Sequence, residues 1–232
     1  MMHFHLSNIS ILGDSITKGI VWDINTQKYK TLPNNAVNLF CRQNNVILHN
    51  YSHFGYTSHK ALRMLDTYLQ SNSDDYVLVE LGGNDCDFNW EALFDNPKAE
   101  VVPHVTIEEY KNNIWNIFNR LYKFNKRVII MTLPPIDAEK YLNWVSKANQ
   151  KWRNNILNFI KEPSFLYRHH EFYARTFEQT AIQNGVRCLP IRDEFLTIKD
   201  YGKYLCEDGI HPNILGHQII FNVFNKIYMS GK

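Results

Sequence analysis

The sequence predicts an α/β fold, a three-layer α/β/α sandwich around a central five-stranded parallel sheet. Three observations carry that expectation. Five short apolar runs, at residues 9–12, 46–48, 76–81, 128–132 and 186–191, are separated by longer segments, several with amphipathic spacing. The short runs are rich in Val, Ile and Leu without polar alternation, as strands covered on both faces read. Their separation leaves room for helical crossovers, which join parallel strands of one sheet in a right-handed sense.

Taken in order, the first run ends at Gly13-Asp14-Ser15 and leads into a short turn or helix bounded by Gly19. The second ends at Asn50. After Thr57, Leu62, Leu65 and Leu69 recur at spacings of three and four, the mark of one helical face. The third run ends in Gly82-Gly83-Asn84-Asp85. Residues 88–103, with Trp90, Pro97 and Pro103, read as an irregular loop over the site. Thr106 followed by Glu109 forms a capping box, and Ile107, Tyr110, Ile114, Ile117, Phe118 and Leu121 make one apolar stripe. The fourth run is followed by Leu133-Pro134-Pro135, a rigid turn and a candidate pocket wall. Asn213 caps a final helix whose buried face is expected to be Ile214, Ile220, Val223, Phe224 and Ile227. With no internal repeat or linker, residues 1–232 are expected to form one domain.

Composition narrows the function classes. The 232 residues carry 25 Lys+Arg against 23 Asp+Glu, a net charge of +2, scattered without runs, so no basic excess points to nucleic acid or a membrane surface. No apolar stretch approaches the ~20 residues that span a bilayer, and the N-terminus lacks the pattern of a secretory leader. A cytoplasmic protein is the expectation. The four cysteines, Cys41, Cys86, Cys188 and Cys206, include no Cys-x-x-Cys pair and are expected as reduced thiols.

The chemistry gathers after the strands. In open parallel sheets, functional groups lie beyond the carboxyl ends of the strands. There the chain places Gly13-Asp14-Ser15, then Asn50 to Thr57 around Gly55, then Gly82 to Asp85, and before the last helix Asp208-Gly209-Ile210-His211. Each block alone has a plainer explanation. Ser15 could cap a helix, Gly55 could serve a turn, Asn84 could bond its own backbone, and Asp208 with His211 could decorate a helix start.

In this order and at these strand ends, the four blocks resemble the SGNH/GDSL hydrolase family. Ser15 matches the nucleophile, Gly55 and Asn84 the second and third blocks, and Asp208 with His211 the Asp-x-x-His pair. Ile16 replaces the usual Leu. The resemblance spans residues 13–213 and implies the flavodoxin-like fold of that family. It also implies that Ser15 is activated by His211, which Asp208 orients. The main-chain N–H groups of Ser15 and Gly55 and the side-chain amide of Asn84 would then form the oxyanion hole. Asp14, Tyr56, Asp85 and Pro134 are further candidates for the pocket.

The residue types suit that chemistry on physical grounds. A serine hydroxyl needs a base to remove its proton as it attacks a carbonyl. An imidazole can take that proton and return it to the leaving alcohol. A carboxylate on the other ring nitrogen fixes the tautomer and stabilises the imidazolium. The expected activity is cofactor-independent hydrolysis of small acyl esters, acetylated carbohydrates among them. An acyltransferase using the same serine, a lysophospholipase or thioesterase, and a non-catalytic binding module are the alternatives.

A phosphate loop is disfavoured because residues 13–19 lack Gly-Lys-Ser/Thr at the required spacing. A metal site is disfavoured because the ten histidines include no His-Glu-x-x-His, and His53, His59, His169 and His170 have no ligand partners at metal spacing. Trp22, Tyr56, Phe88, Trp90 and Trp144 invite stacking on a sugar ring, although core packing accounts for most of the 14 Phe, 13 Tyr and 5 Trp. Cys86 and Cys206 lie beside the blocks and are expected to be inert. Nothing in the sequence sets the oligomeric state.

Overall fold

Five parallel strands in the order β4-β1-β5-β6-β7 form the sheet of the computed structural model, which describes residues 6–71 and 74–230. They are β1 (Asn8–Gly13), β4 (Ile47–Asn50), β5 (Tyr76–Glu80), β6 (Arg127–Met131) and β7 (Arg187–Leu189). All five coincide with the apolar runs. Gly13 pairs with Glu80, and Ile11 pairs with both Leu78 and Asn50, so the carboxyl ends of three strands lie level. The order reverses between β4 and β5, on either side of β1. A crevice opens at such a switch point.

Period-two alternation sorts the strand side chains into two cores. Leu12, Val77, Val79, Val128 and Ile130 pack against α3 (Ser58–Ser71), α5 (Ile107–Lys123) and α8 (Ser164–Gln183). Ile9, Ile11, Leu78, Ile129 and Met131 pack on the other face, against α2 (Ala36–Gln43), α9 (Ile191–Leu196) and α10 (Ile214–Ser230). These are the three expected layers. The capping box at Thr106 and Glu109 is formed, and Asn213 Oδ1 accepts from the N–H groups of Leu215 and Gly216.

Three expectations need correction. The second run is not covered on both faces: β4 is an edge strand, and Ile47 is 61% exposed. Ile214 does not belong to the buried face of α10. It occupies the first helical position and is exposed, and the buried stripe starts at Gly216 and His217. Residues 88–103 are not wholly irregular, because α4 (Ala92–Asp95) forms one turn and Phe88 bridges Pro103.

Two features are absent from the sequence reading. A hairpin of β2 (Ile20–Asp23) and β3 (Lys28–Thr31) follows α1 (Ser15–Lys18). Beyond β6, α6 (Ala138–Val145) and α7 (Gln150–Ile160) join α4 and the start of α8 in a third apolar cluster, with Trp90, Leu93, Leu142, Ile156 and Leu166 at its centre. This cluster borders the carboxyl edge of the sheet. Among the described residues no helix is long and apolar enough to cross a membrane.

Candidate active site

The site begins where β1 stops. Asp14 caps α1, its Oδ1 accepting from Ile16 N–H at 2.9 Å. The capping role open to Ser15 is therefore filled by its neighbour, and Ser15 becomes the first helical residue, with a main-chain N–H that the helix leaves unpaired. The Ser15 hydroxyl lies 2.9 Å from His211 Nε2, across 196 positions of sequence. His211 Nδ1 lies 2.6 Å from Asp208 Oδ2. All three side chains are buried.

A tight turn lets one loop hold both the imidazole and its carboxylate. Gly209 has φ +74°, and a Cβ there would come within 2.6 Å of the Asp137 carbonyl. Cys206 N–H donates to the His211 carbonyl, and Asp137 N–H to that of Gly209. Asp208 Oδ1 accepts from the N–H groups of Ile210 and His211. Burial pushes the Asp208 carboxyl up, but the His211 ring and these two N–H groups outweigh it, leaving it below the ordinary carboxylate range. Asp208 is thus held as an anion.

The hairpin contributes a group that the sequence did not reveal. Tyr29, on β3, donates its hydroxyl to Asp208 Oδ2 at 2.9 Å, and its ring centre lies 5.2 Å from that of His211. Burial, followed by the charge of Asp208, pushes the phenol well up, so it remains a donor. Phe54 lies over the imidazole in near-parallel stacking, with centres 6.0 Å apart.

Opposite the imidazole, Asn84 Nδ2 donates to Asp14 Oδ2 at 3.1 Å. An amide nitrogen carries two N–H bonds, so one is left for a ligand. Behind them Glu80, fully buried at the end of β5, reaches Thr17 Oγ1. Burial, then the Asp14 charge and their mutual hydrogen bond, holds the Glu80 carboxyl far above the usual range; burial also raises Asp14. Two carboxyl groups this close retain a proton between them. Gly55 adopts φ +71° in the turn after Phe54, and its carbonyl accepts from Lys60 Nζ.

A cavity of about 280 Å³ opens from Ser15 and His211. Asp14, Asn84 and Pro134 line its mouth, and Phe88, Trp90, Ile136, Tyr141 and Trp144 form much of its apolar wall. Two expected pocket residues lie elsewhere. Asp85 is buried away from the cavity and accepts from the main chain and hydroxyl of Ser58, fixing the start of α3. Tyr56 packs against His53 and the core under α3. Gly55 does not line the cavity either. Trp22 buttresses Trp144 edge-on, with ring centres 4.6 Å apart. Burial raises both neighbouring thiols, Cys206 to about 12 and Cys86 well above its usual value, as expected of inert thiols.

Besides Tyr29, the sequence reading missed Glu80, Phe54 and Asp87. A charged residue inside an otherwise apolar run, as in Tyr-Val-Leu-Val-Glu-Leu, was the available signal for Glu80. Asp87 gathers Phe88 N–H, Trp90 Nε1 and the Tyr141 hydroxyl on one oxygen, tying the loop to α6. Among the described residues no three His, Cys, Asp or Glu side chains cluster as metal ligands.

The chain has relatives among known proteins. The family model of the GDSL-like lipase/acylhydrolases matches residues 11–219. A GDSL esterase/lipase of Arabidopsis thaliana is 25% identical over 129 residues, covering 54% of this chain and 50% of that protein. The rice GDSL esterase/lipase WDL1 (Oryza sativa subsp. japonica) is 28% identical over 194 residues, 82% of this chain and 67% of that one. The chain thus matches about half the length of the first of these relatives. Among solved structures, the lipase/acylhydrolase from Enterococcus faecalis superposes with a TM-score of 0.69 at 16% identity, over 97% of both chains. The acetylxylan esterase Axe2 from Geobacillus stearothermophilus gives 0.68 at 18%, over 98% of this chain and 96% of that one. These two likenesses are of fold. By its family match over residues 11–219, the chain belongs to the GDSL-like lipase/acylhydrolase family.

Proposed function

We propose that this protein is a serine ester hydrolase acting as a single domain, with Ser15 as nucleophile, His211 as general base and acid, and Asp208 as the group that orients and stabilises the imidazolium. One observation carries the reading: the 2.9 Å approach of Ser15 Oγ to His211 Nε2, with Asp208 2.6 Å from the other ring nitrogen. In the first step Ser15 Oγ bonds to the ester carbonyl carbon while His211 takes the hydroxyl proton. The carbonyl electrons move onto oxygen, where the N–H of Ser15 and the free N–H of Asn84 would receive them. The tetrahedral adduct collapses, the alcohol leaves with the proton from His211, and an acyl group remains on Ser15. Water then repeats the sequence and releases the acid.

The substrate reading is a small acyl group on a compact alcohol, with acetylated carbohydrates the favoured class. Its support is a cavity at the lower end of ligand-site volumes, walled by Phe88, Trp90 and Trp144, and a fold shared with an acetylxylan esterase. The test is a panel of p-nitrophenyl esters from acetate to palmitate beside acetylated sugars. Rates should peak at the short acyl end, and Ser15→Ala should abolish turnover with thermal unfolding nearly unchanged. Retained turnover in Ser15→Ala would overturn the assignment of the nucleophile, and a preference for palmitate would overturn the substrate class.

A further inference from the structure

Asn84 can serve the reaction only if its amide presents an N–H, and not its oxygen, to the cavity whose mouth it lines. Asn84 Nδ2 donates to Asp14 Oδ2 at 3.1 Å, and Asp14 Oδ1 accepts from Ile16 N–H at 2.9 Å. An ionised carboxylate has no proton to give, so it repels the amide oxygen and holds the NH₂ end. A protonated Asp14 could donate to that oxygen instead and let the amide turn over. The orientation of the amide therefore depends on Asp14 staying an anion in a buried position. Beside it stands Glu80, wholly buried at the last position of β5. Glu80 Oε2 receives only the Thr17 hydroxyl, at 3.4 Å, and Oε1 meets no hydrogen-bond partner among the described residues. A buried carboxylate left this short of donors is costly. A proton on Glu80 turns it from an acceptor with too few donors into a donor for Asp14.

We propose that Glu80 is a positioning residue: it keeps the proton of the carboxyl pair, donates it to Asp14, and so holds Asp14 as the anion that turns an Asn84 N–H toward the oxyanion. The inference rests on the ester-hydrolase reading, in which Asn84 receives that oxyanion. The proton belongs on Glu80 because the donors are unevenly shared. Asp14 has two good ones, Ile16 N–H and Asn84 Nδ2, whereas Glu80 has one distant hydroxyl. Burial, then the Asp14 charge, holds the Glu80 carboxyl far above the ordinary range, in the same sense. The other titratable groups facing the pair agree. The Tyr110 phenol, on α5, is kept neutral by burial, and the His211 ring acts on Asp14, where its charge favours the anion. Glu80 touches no substrate in this arrangement. It acts through Asp14, and Asp14 acts through the amide.

The test reads the proton and its consequence separately. In protein whose glutamates carry a carbon-13 label at the side-chain carboxyl, the resonance missing from Glu80→Gln belongs to Glu80. In wild type it should have the shift of a carboxylic acid and hold it across neutral pH, where an ordinary glutamate is ionised. A carboxylate shift there would overturn the proposal, whether or not the protein hydrolyses esters. The consequence is read in steady-state kinetics on p-nitrophenyl acetate. Glu80→Leu, which cannot donate, should lower kcat about tenfold with KM nearly unchanged, a part of the roughly 10²–10³ that loss of a whole oxyanion donor costs. Glu80→Gln, whose amide N–H can still reach Asp14, should recover most of that rate. Equal kcat losses in the two variants, no loss in Glu80→Leu, or a change confined to KM would overturn the positioning role. Thermal melting checks that both variants fold, and the resonance is read in wild type, so the proposal can fail even where Glu80→Leu does not fold.

Discussion

Tyr29 offers a perturbation that removes one hydroxyl and leaves the packing in place. In Tyr29→Phe the ring stays against Trp22, Phe54 and His211, whose centres lie 5.1, 5.2 and 5.2 Å away, while Asp208 Oδ2 loses the donor at 2.9 Å and keeps His211 Nδ1 at 2.6 Å. A hydrogen bond to a charged group contributes about 1.5–3 kcal/mol. Because Tyr29 is only partly buried, the lower end applies. Without that donor the carboxylate is held by His211 and the two main-chain N–H groups alone, and the imidazole loses part of the support that fixes it against Ser15. At about 1.4 kcal/mol per tenfold in rate, kcat/KM should fall about threefold to tenfold, with stability lowered by about 1.5 kcal/mol at most. The assay is steady-state kinetics on p-nitrophenyl acetate beside wild type, with thermal melting as the check on folding. An unchanged kcat/KM in a folded variant would refute the reasoning.

Other outcomes follow from the same network. Asn84→Ala should lower kcat by about 10²–10³ with little change in KM, as for loss of one oxyanion donor; a change confined to KM in steady-state kinetics would count against it. Glu80→Gln tests the carboxyl pair: a raised acid contributes stability that is lost as pH rises through its folded value, so this variant should match wild type in mildly acidic buffer and gain on it in alkaline melts. Identical melting profiles at all pH values would exclude a protonated Glu80. Acid unfolding should report His170 and His217, both buried and each pushed down to about 4 from 6.5. Because their folded values lie below the unfolded one, their contribution is complete above about 6.5 and is lost as pH falls toward 4, about 3 kcal/mol for each group. Urea titrations across that range should show the decline, and a flat profile would contradict it.

The sheet was legible in the sequence because the buried strands β1, β5 and β6 leave mostly apolar runs, and the edge strands β4 and β7 still begin or end on apolar residues. The blocks at their carboxyl ends were legible because chemistry requires a hydroxyl, an imidazole and a carboxylate at fixed places in chain order. Tyr29 was hidden for the opposite reason. Its strand carries exposed Lys28 and Lys30 and turns at Gln27, a non-glycine residue at φ +50°, so neither alternation nor turn chemistry announced a hairpin. The helices at 138–160 pack chiefly on one another and on the Phe88–Trp90 loop rather than on the sheet, which leaves no strand partner to frame them. Asp85 shows the limit of motif reading: next to Asn84 in sequence, it turns inward to hold Ser58, because adjacent residues on a turn need not share a direction.

The proposed chemistry requires the Ser15 hydroxyl to be made nucleophilic by its contact with His211. Labelling the intact protein with a serine-directed fluorophosphonate, followed by peptide mass spectrometry, measures that directly. A single adduct on Ser15 is predicted, absent in Ser15→Ala and strongly slowed in His211→Ala. An adduct on another residue, or ester turnover that persists with Ser15 unlabelled, would contradict it.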